Sequence, residues 1–534
     1  MKKLLAFILI AAGVVGATVS ARDELTPDQK LRMAAAIIQA YYVEDVNADT
    51  IVDEAIVAML KTLDPHSAYS TPAETEELNQ PLEGKFSGIG VQFSMVDDTV
   101  YVIQPTAGGP SEKVGIRPGD RIISANDTVI AGKKLANSGI IKVLRGPKGS
   151  VVDLKVKRQG VAEPIVFRVV RDDIPIYSVD AAYMVDDTTG YISVTRFAES
   201  TDREMRQAAD SLIRCGMRNL IIDLSSNGGG YLGAAYQMAS DFLQIGDPVV
   251  FTRGLHSPAS YLSVEQKSRR IPVDRLVVMV DQYSASASEI FAGAIQENDR
   301  GLIVGRRTFG KGLVQRPFPF PDGSMIRLTT SRYYTPTGRC IQKPYEKGHG
   351  EEYQLDMLNR YNSGELWHAD SIKLDTTEVF YTLRNNRVVY GGGGIMPDVF
   401  VPVDTSHNSV YYRELVAKGV MYKYVLNHIE SHRKALLEQY PSEDAFAAGF
   451  APDSTLIQGL IDTATAEGIE FREADWEKSG EIIAAVLKGL FLRDLYENGI
   501  YVRATNPLNH DFRAALELIN DPERYNRLLT TGKE

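Results

Sequence analysis

Three serines stand on alternate positions in "VVMVDQYSASASEIFAGAI", residues 277–295, between an apolar run and a helix-forming one. Ser286 lies three residues before Glu289, the spacing of a capping box, so a helix N-cap is its simplest role. A serine at a strand-to-helix turn is also where a nucleophile is best placed. Its hydroxyl projects from the sheet edge, and the next backbone N–H, on Ala287, can point at a developing oxyanion. Such a serine needs a base. Of the eight histidines none has a similarly marked setting, and His256, in "GLHSPASY", is the one held in reserve. The better candidate is Lys311 in "GRRTFGKGLVQ", set between Gly310 and Gly312, which let the backbone turn and approach closely. In an open loop such a lysine would stay charged; in apolar surroundings it loses affinity for its proton and can serve as a neutral base. If the segment is extended, Lys311, Leu313 and Gln315 face one side, so Gln315 could orient the amine or a substrate amide. A second strand end, "LIIDLSSNGGGYLG", runs into Asn227-Gly228-Gly229-Gly230. Its exposed N–H groups could hold an anion or oxyanion, although a plain turn explains an isolated glycine triplet as well.

These candidates require elements to hold them. A chain of 534 residues is too long for one core and implies several domains. Hydrophobic residues make up 44% and charged ones 24%, as in ordinary globular proteins, and a net charge of −11 without a basic run argues against nucleic acid. The start, "MKKLLAFILIAAGVVGATVSARDE", has two lysines, an apolar run and the small-residue site Val19-Ser20-Ala21. It predicts a cleaved signal peptide over residues 1–21 and export, with an uncleaved membrane anchor as the alternative. Residues 26–62 carry a Thr-Pro start and apolar residues at helical spacing. From Gly84 to Arg171 short β-rich runs alternate with turns; strands then alternate with helices up to "GLIVG", predicting an α/β core with a largely parallel sheet. A β tail closes at "PDVFVP", and the chain beyond 405 reads as mainly helical. Cys215 and Cys340 are expected to be unpaired, with Cys215 on the apolar face of a helix beside Met205, Ala208 and Leu212. Neither belongs to a ligand-spaced cluster, and no metal, nucleotide or other cofactor is expected.

With Lys311 25 residues after Ser286 and Gln315 four further on, "SASASEI…FGKGLVQ" resembles the C-terminal processing (tail-specific) proteases, a Ser/Lys peptidase family with an embedded PDZ domain. The resemblance spans residues 30–403 and rests on several segments together. "LDPHSAY" (63–69) is similar to the family's N-terminal motif; "GKFSGIGV", "GIRPGDRIISAND" and "LRGPKGS" to its PDZ domain; "YYTPTGRCIQ" and "GGGGIMPDV" to its closing β region. The implied fold is multidomain α/β: a helical region over 22–80, a PDZ domain over 81–172, a ClpP/crotonase-like protease core over 173–403 and a helical region over 404–534. The resemblance makes Ser286 the nucleophile, Lys311 the base and Gln315 its support, with the Ala287 and Gly229 N–H groups as oxyanion donors. Ser284 and Ser288 become helix-start and packing residues. Two departures stand out: Ser225 replaces a usual arginine and Gly228 a usual proline. Residues 345–385 resemble an insertion, and nothing after 405 matches a family motif.

A PDZ domain adds a peptide C-terminus to a sheet edge and holds its carboxylate with loop N–H groups. Here Gly88 and Gly90 would supply those donors and Ile89 the pocket for the last side chain, whereas a lone glycine-rich β-turn is the plainer reading of that loop. Arg145 is the residue to watch for coupling the PDZ domain to the active site. The expected activity is that of a serine endopeptidase acting on proteins or peptides with accessible C-termini. A catalytically silent PDZ scaffold and a Ser/His hydrolase using His256 are the competing readings. The expected location is the bacterial periplasm, attached to the inner membrane if the signal segment is kept. A homodimer through the helical ends, and an adaptor or activator protein, are compatible partners.

Overall fold

The computed structural model describes residues 25–96, 98–265, 270–373, 378–496 and 500–532, so the signal segment expected over 1–21 lies outside the described residues. Helices Pro27–Tyr41 and Ala48–Lys61 open the described chain. Thr26 starts the first through a reciprocal capping box with Gln29, and Pro27 occupies a first-turn position where no N–H is needed. A third helix, Pro72–Glu83, is capped the same way by Thr71 and Glu74. It ends at Gly84, whose φ of 72° suits glycine, and the chain passes into the PDZ domain.

That domain is tied to the rest by a two-stranded neck, Lys85–Gly88 against Asp172–Pro175. Its main sheet is antiparallel and includes Val91–Val96, Thr99–Pro105, Arg121–Ala125, Val151–Lys157 and Ile165–Val170. Alternate residues Val152, Leu154 and Val156 point into its core, as the period of two requires.

The expected protease core, residues 173–403, is built on a six-stranded sheet in the order Val179–Met184, Thr189–Val194, Asn219–Asp223, Leu276–Val280, Leu302–Gly305, Val399–Phe400. The first pair is antiparallel and the rest parallel. The runs "LVVMV" and "LIVG" are buried throughout because parallel strands are covered on both faces. Met205, Met238 and Phe291, from three helices, cover one face; Phe512, Leu518 and Leu528 cover the other. The expected helical region 404–534 is therefore shared between two cores. Helices His510–Asn520 and Pro522–Thr531 cover the six-stranded sheet, while Val425, Leu460, Leu487 and Phe491 build a separate helical core.

A second sheet holds the lysine segment. Leu313–Pro319 pairs with Met325–Tyr334, which also pairs with Ala68–Ser70 and Pro248–Arg253. The resembling insertion forms short helices Gly350–Gln354 and Asp356–Asn362 and a hairpin, Val379–Tyr381 with Val388–Tyr390. Both cysteines are free, as expected, but Cys215 is exposed: its helix ends at Arg214, which leaves it as the C-cap rather than on the apolar face. Among the described residues no helix is long and apolar enough to cross a membrane.

Candidate active site

The three alternate serines separate by environment. Ser284 is fully buried; its hydroxyl donates to the Leu224 carbonyl (2.8 Å) and accepts from Asp281 N–H (2.9 Å). Ser288, equally buried, donates to the Asn227 carbonyl at 2.8 Å. These two fasten the neighbouring strand end and glycine turn. Ser286 alone is partly exposed. It sits between Leu276–Val280 and Ala287–Glu297 with φ 56° and ψ −112°. A non-glycine residue held there costs on the order of 1–3 kcal/mol, which the buried surroundings must offset.

Lys311 is brought to the same region by its flanking glycines. A Cβ on Gly312 would lie 2.9 Å from Gln342 N, and Gly310 adopts a φ of 86°. Lys311 Nζ donates to Gln315 Oε1 at 3.1 Å, and Gln315 Nε2 donates to the His66 carbonyl, which fixes the amide's orientation. Burial, reinforced by Arg327, lowers the Lys311 pKa, with Glu289 and Asp64 opposing. No hydrogen bond joins Ser286 Oγ to Lys311 Nζ among the described residues.

Two groups from outside the expected set bracket the pair. The Glu289 carboxylate is fully buried, and one oxygen accepts both Ser286 N–H (2.8 Å) and Lys311 N–H (2.9 Å). Its other oxygen accepts Gly310 N–H (2.7 Å) and the Thr308 hydroxyl (2.5 Å). Burial pushes its pKa up to about 6 against these hydrogen bonds. On the other side the Tyr333 hydroxyl donates to the carbonyls of Ser286, at 3.0 Å, and of Lys311. The capping-box spacing signalled Glu289 as a helix-start residue, but nothing in sequence shows that it also grips the lysine loop. Tyr333 lies in the family-like "YYTPTGRCIQ" with no mark of its own.

"LDPHSAY" acts through its backbone. Asp64 accepts the His66 and Ser67 N–H groups, both at 2.9 Å, and turns the His66 carbonyl toward Gln315. The His66 ring meets Tyr353 Oη at 2.8 Å, and Gln342 Nε2 donates to the same oxygen at 3.3 Å. Burial, with Lys311 nearby, lowers the His66 pKa to about 4, so the ring is neutral at pH 7. The insertion also holds the lysine loop from behind: Glu365 bridges Arg307 (2.7 Å) and Arg360 (2.8 Å), and Arg360 donates to the Thr308 carbonyl at 3.1 Å.

The remaining expected residues divide. Ala287 N–H has no hydrogen-bond partner among the described residues and is free for an oxyanion. Gly229 packs on Ser286, since a Cβ there would lie 2.8 Å from Ser286 Cβ, but its N–H already donates to Asn227 Oδ1 at 2.9 Å. The expected second donor is therefore engaged in this state: the Asn side chain turns back on its own loop, as Asx turns do. His256 is exposed in the connection between Pro248–Arg253 and Ser260–Ser263 and makes no hydrogen bond to Ser286. Among the described residues no group of three or more His, Cys, Asp or Glu side chains could hold a metal ion. In the PDZ domain a 320 Å³ groove is lined by Ile89, Gly90, Phe86, Phe93, Ile141 and Arg145, among others. Gly88 pairs with Asp172 in the neck instead. Arg145 stacks over the Phe86 ring at 4.4 Å and donates to Gln80 Oε1 at 2.7 Å, linking the groove to helix Pro72–Glu83.

Residues 188–348 match the family model described as Peptidase family S41, and residues 87–169 match a PDZ domain. The chain is 30% identical over 472 residues to the carboxy-terminal processing protease CtpB of Bacillus subtilis (strain 168), covering 87% of this chain and 89% of that protein. The chain belongs to the carboxy-terminal processing proteases. It is 33% identical to the protease CtpA of the same organism over 63% of this chain and 73% of the relative. Among solved structures, the photosystem II D1 C-terminal processing protease matches at 27% identity and a TM-score of 0.35, over 61% of this chain and 92% of the other. Residues 411–497 match a family of unknown function. The protein is thus a serine peptidase with a PDZ domain in a mixed α/β fold.

Proposed function

We propose that this protease cleaves proteins near their C-termini by acylation of Ser286, with Lys311 as general base. The observation that carries the reading is one shared anchor. A single Glu289 oxygen accepts the N–H groups of the partly exposed, strained Ser286 and of Lys311, a lysine whose burial favours the neutral amine. Substrate entry brings Oγ and Nζ within hydrogen-bond reach. Lys311 takes the serine proton as Oγ attacks the carbonyl, then returns it to the leaving amine; water repeats the cycle on the acyl-enzyme. Gln315 keeps the amine aimed. Ala287 N–H receives the oxyanion, and Gly229 N–H joins it once Asn227 lets go.

The PDZ groove at Ile89 and Gly90 captures the substrate's C-terminus, and Arg145 reports its occupancy through Gln80. We infer export to the bacterial periplasm from the lysine-flanked apolar segment ending at Ala21. We also infer a homodimer, supported by the exposed Leu31, Ile37, Tyr41 and Tyr42 of the first helix and the residue after it. The test is cleavage of an unfolded protein with an apolar C-terminus by the parent, Ser286→Ala and Lys311→Ala, with the substrate free or C-terminally amidated. Both variants should be inactive and amidation should slow the parent. Full activity in Lys311→Ala, or indifference to amidation, would contradict the reading.

A further inference from the structure

Three neighbouring strands of the six-stranded protease sheet end on charged residues that the mechanism leaves unused. Asn219–Asp223 ends on Asp223, Leu276–Val280 is followed by Asp281, and Leu302–Gly305 by Arg306. The strands are parallel, with Asp223 paired to Met279 and Val280 to Gly305, so the three side chains stand in a row at the sheet's carboxyl end. All three are buried. Asp281 ties together the two loops that frame the nucleophile. One of its oxygens accepts the N–H groups of Ser226 (2.9 Å), Tyr283 (3.0 Å) and Ser284 (2.9 Å), and the other accepts the Ser226 hydroxyl (3.1 Å). Ser226 belongs to the turn that carries Gly229 and is held at φ 59°, which is unfavourable for a residue other than glycine. Tyr283 and Ser284 lead into Ser286.

Asp223 lies beside them, accepting the Tyr191 hydroxyl (2.6 Å) and the Ser225 N–H (2.8 Å). A third carboxylate, Asp511, comes from the first turn of helix His510–Asn520. Burial raises the pKa of Asp223 and of Asp511; the charge of Asp281 pushes the same way, and Arg306 opposes it at Asp511. Ser225, which departs from the arginine usual in the resembled family, offers no charge, and its hydroxyl is buried without a hydrogen-bond partner among the described residues. Among those residues Arg306 is the one cation that pairs with this carboxylate set. Its guanidinium grips both Asp511 oxygens at 2.8 Å, and its Nε donates to Gln282 Oε1, one residue after Asp281, at 2.8 Å. Nη1 also donates to the Val401 carbonyl at 3.2 Å, just after strand Val399–Phe400. Arg306 therefore joins the serine turn, the edge of the sheet and a C-terminal helix, and it opens the segment 306–311 that brings in Lys311.

We propose that Arg306, held by Asp511, is a positioning residue for this peptidase: it supplies from the neighbouring strand the cation absent at 225 and, through Gln282, fixes the turn that presents Ser286 to the oxyanion loop. The consequence for catalysis rests on Ser286 being the nucleophile; the placement of Arg306 does not. The test compares the full chain with Arg306→Lys, Arg306→Gln, Asp511→Asn and the double Ser225→Arg/Arg306→Gln on one peptide. Rates are counted per site titrated with a serine-reactive fluorophosphonate, so unfolded molecules drop out. A turn displaced by a fraction of an ångström should lower kcat per site by about tenfold in Arg306→Gln, with KM within about twofold. Arg306→Lys keeps the charge without the two-pronged grip and should lose about threefold. Asp511→Asn keeps Arg306 but loosens its hold and should lose about as much. The double should regain at least about threefold over Arg306→Gln. Should Arg306→Gln give no titratable protein, Arg306→Lys and Asp511→Asn carry the comparison. Parental kcat per site in Arg306→Gln, or in both of those milder variants, would overturn the positioning role. A loss that Ser225→Arg leaves untouched would overturn the compensation for residue 225. Failure of the nucleophile reading shows separately, as cleavage by Ser286→Ala.

Discussion

Glu289 is the residue whose removal tests how the catalytic pair is held. Its carboxylate serves three backbone N–H groups, those of Ser286, Gly310 and Lys311, and the Thr308 hydroxyl. Glu289→Ala leaves all three N–H groups buried and unpaired. At about 1–2 kcal/mol each the loss is roughly 3–6 kcal/mol, a large share of a marginal stability. Glu289→Gln is gentler, because its carbonyl can stay on the Ser286 and Lys311 side. The amide nitrogen then faces Thr308 Oγ1, which can accept; the Gly310 N–H is left without an acceptor and the Thr308 hydroxyl must turn its proton elsewhere, for about 1–3 kcal/mol. Activity should follow the same order. A shift of about 1 Å between nucleophile and base costs roughly a hundredfold, so kcat should fall about 10²-fold or more in the alanine variant and about tenfold in the glutamine one. KM should move little, since Glu289 is buried beneath the pair rather than facing substrate. Urea unfolding and steady-state kinetics on one peptide check both numbers. An alanine variant that loses under about 1 kcal/mol and keeps kcat within about threefold would refute the anchoring argument.

Three further expectations follow from the same geometry. Lys311 must be neutral to act, and its pKa is lowered from 10.5, so kcat/KM should rise with pH through a midpoint below that value. Arg327→Gln removes the cation that helps lower it and should move this limb to higher pH, as a pH–rate profile would show. Tyr353→Phe keeps the ring but loses the hydroxyl between His66 and Gln342; kcat should drop several-fold with KM unchanged, measured in steady state. His66 titrates near 4 when folded and near 6.5 when unfolded, so between those values the unfolded state binds more protons. Stability should therefore decline as pH falls from 6.5 to 4, by up to about 2–3 kcal/mol, and the decline should be smaller in His66→Asn by denaturant titration.

Much of this was legible in the chain. Buried parallel strands read as unbroken apolar runs, so "LVVMV" and "LIVG" marked the core, and the serine between a strand and a helix stood out by its setting. Lys311 stood out by its flanking glycines, which the close approach of Gln342 explains. What stayed hidden were contacts across long separations. Glu289 meeting residues 308–311, His66 meeting Gln315, and Leu426 covering Tyr101 leave no local pattern. The engagement of the Gly229 N–H stayed hidden for a similar reason: its acceptor, Asn227, is two residues away, but only the turn's geometry aims that side chain inward. The split of the C-terminal helices between two cores was equally invisible, because an amphipathic helix does not name the surface it covers.

The central claim is that Ser286 is the one activated serine and that Lys311 activates it. The direct measurement is covalent labelling with a serine-reactive fluorophosphonate, with the modified residue located by peptide mass spectrometry and the labelling rate followed. The account predicts label on Ser286 in the parent, none in Ser286→Ala, and a rate at least about 10²-fold lower in Lys311→Ala. Label on Ser284 or Ser288, or parental labelling of Ser286 without Lys311, would contradict it.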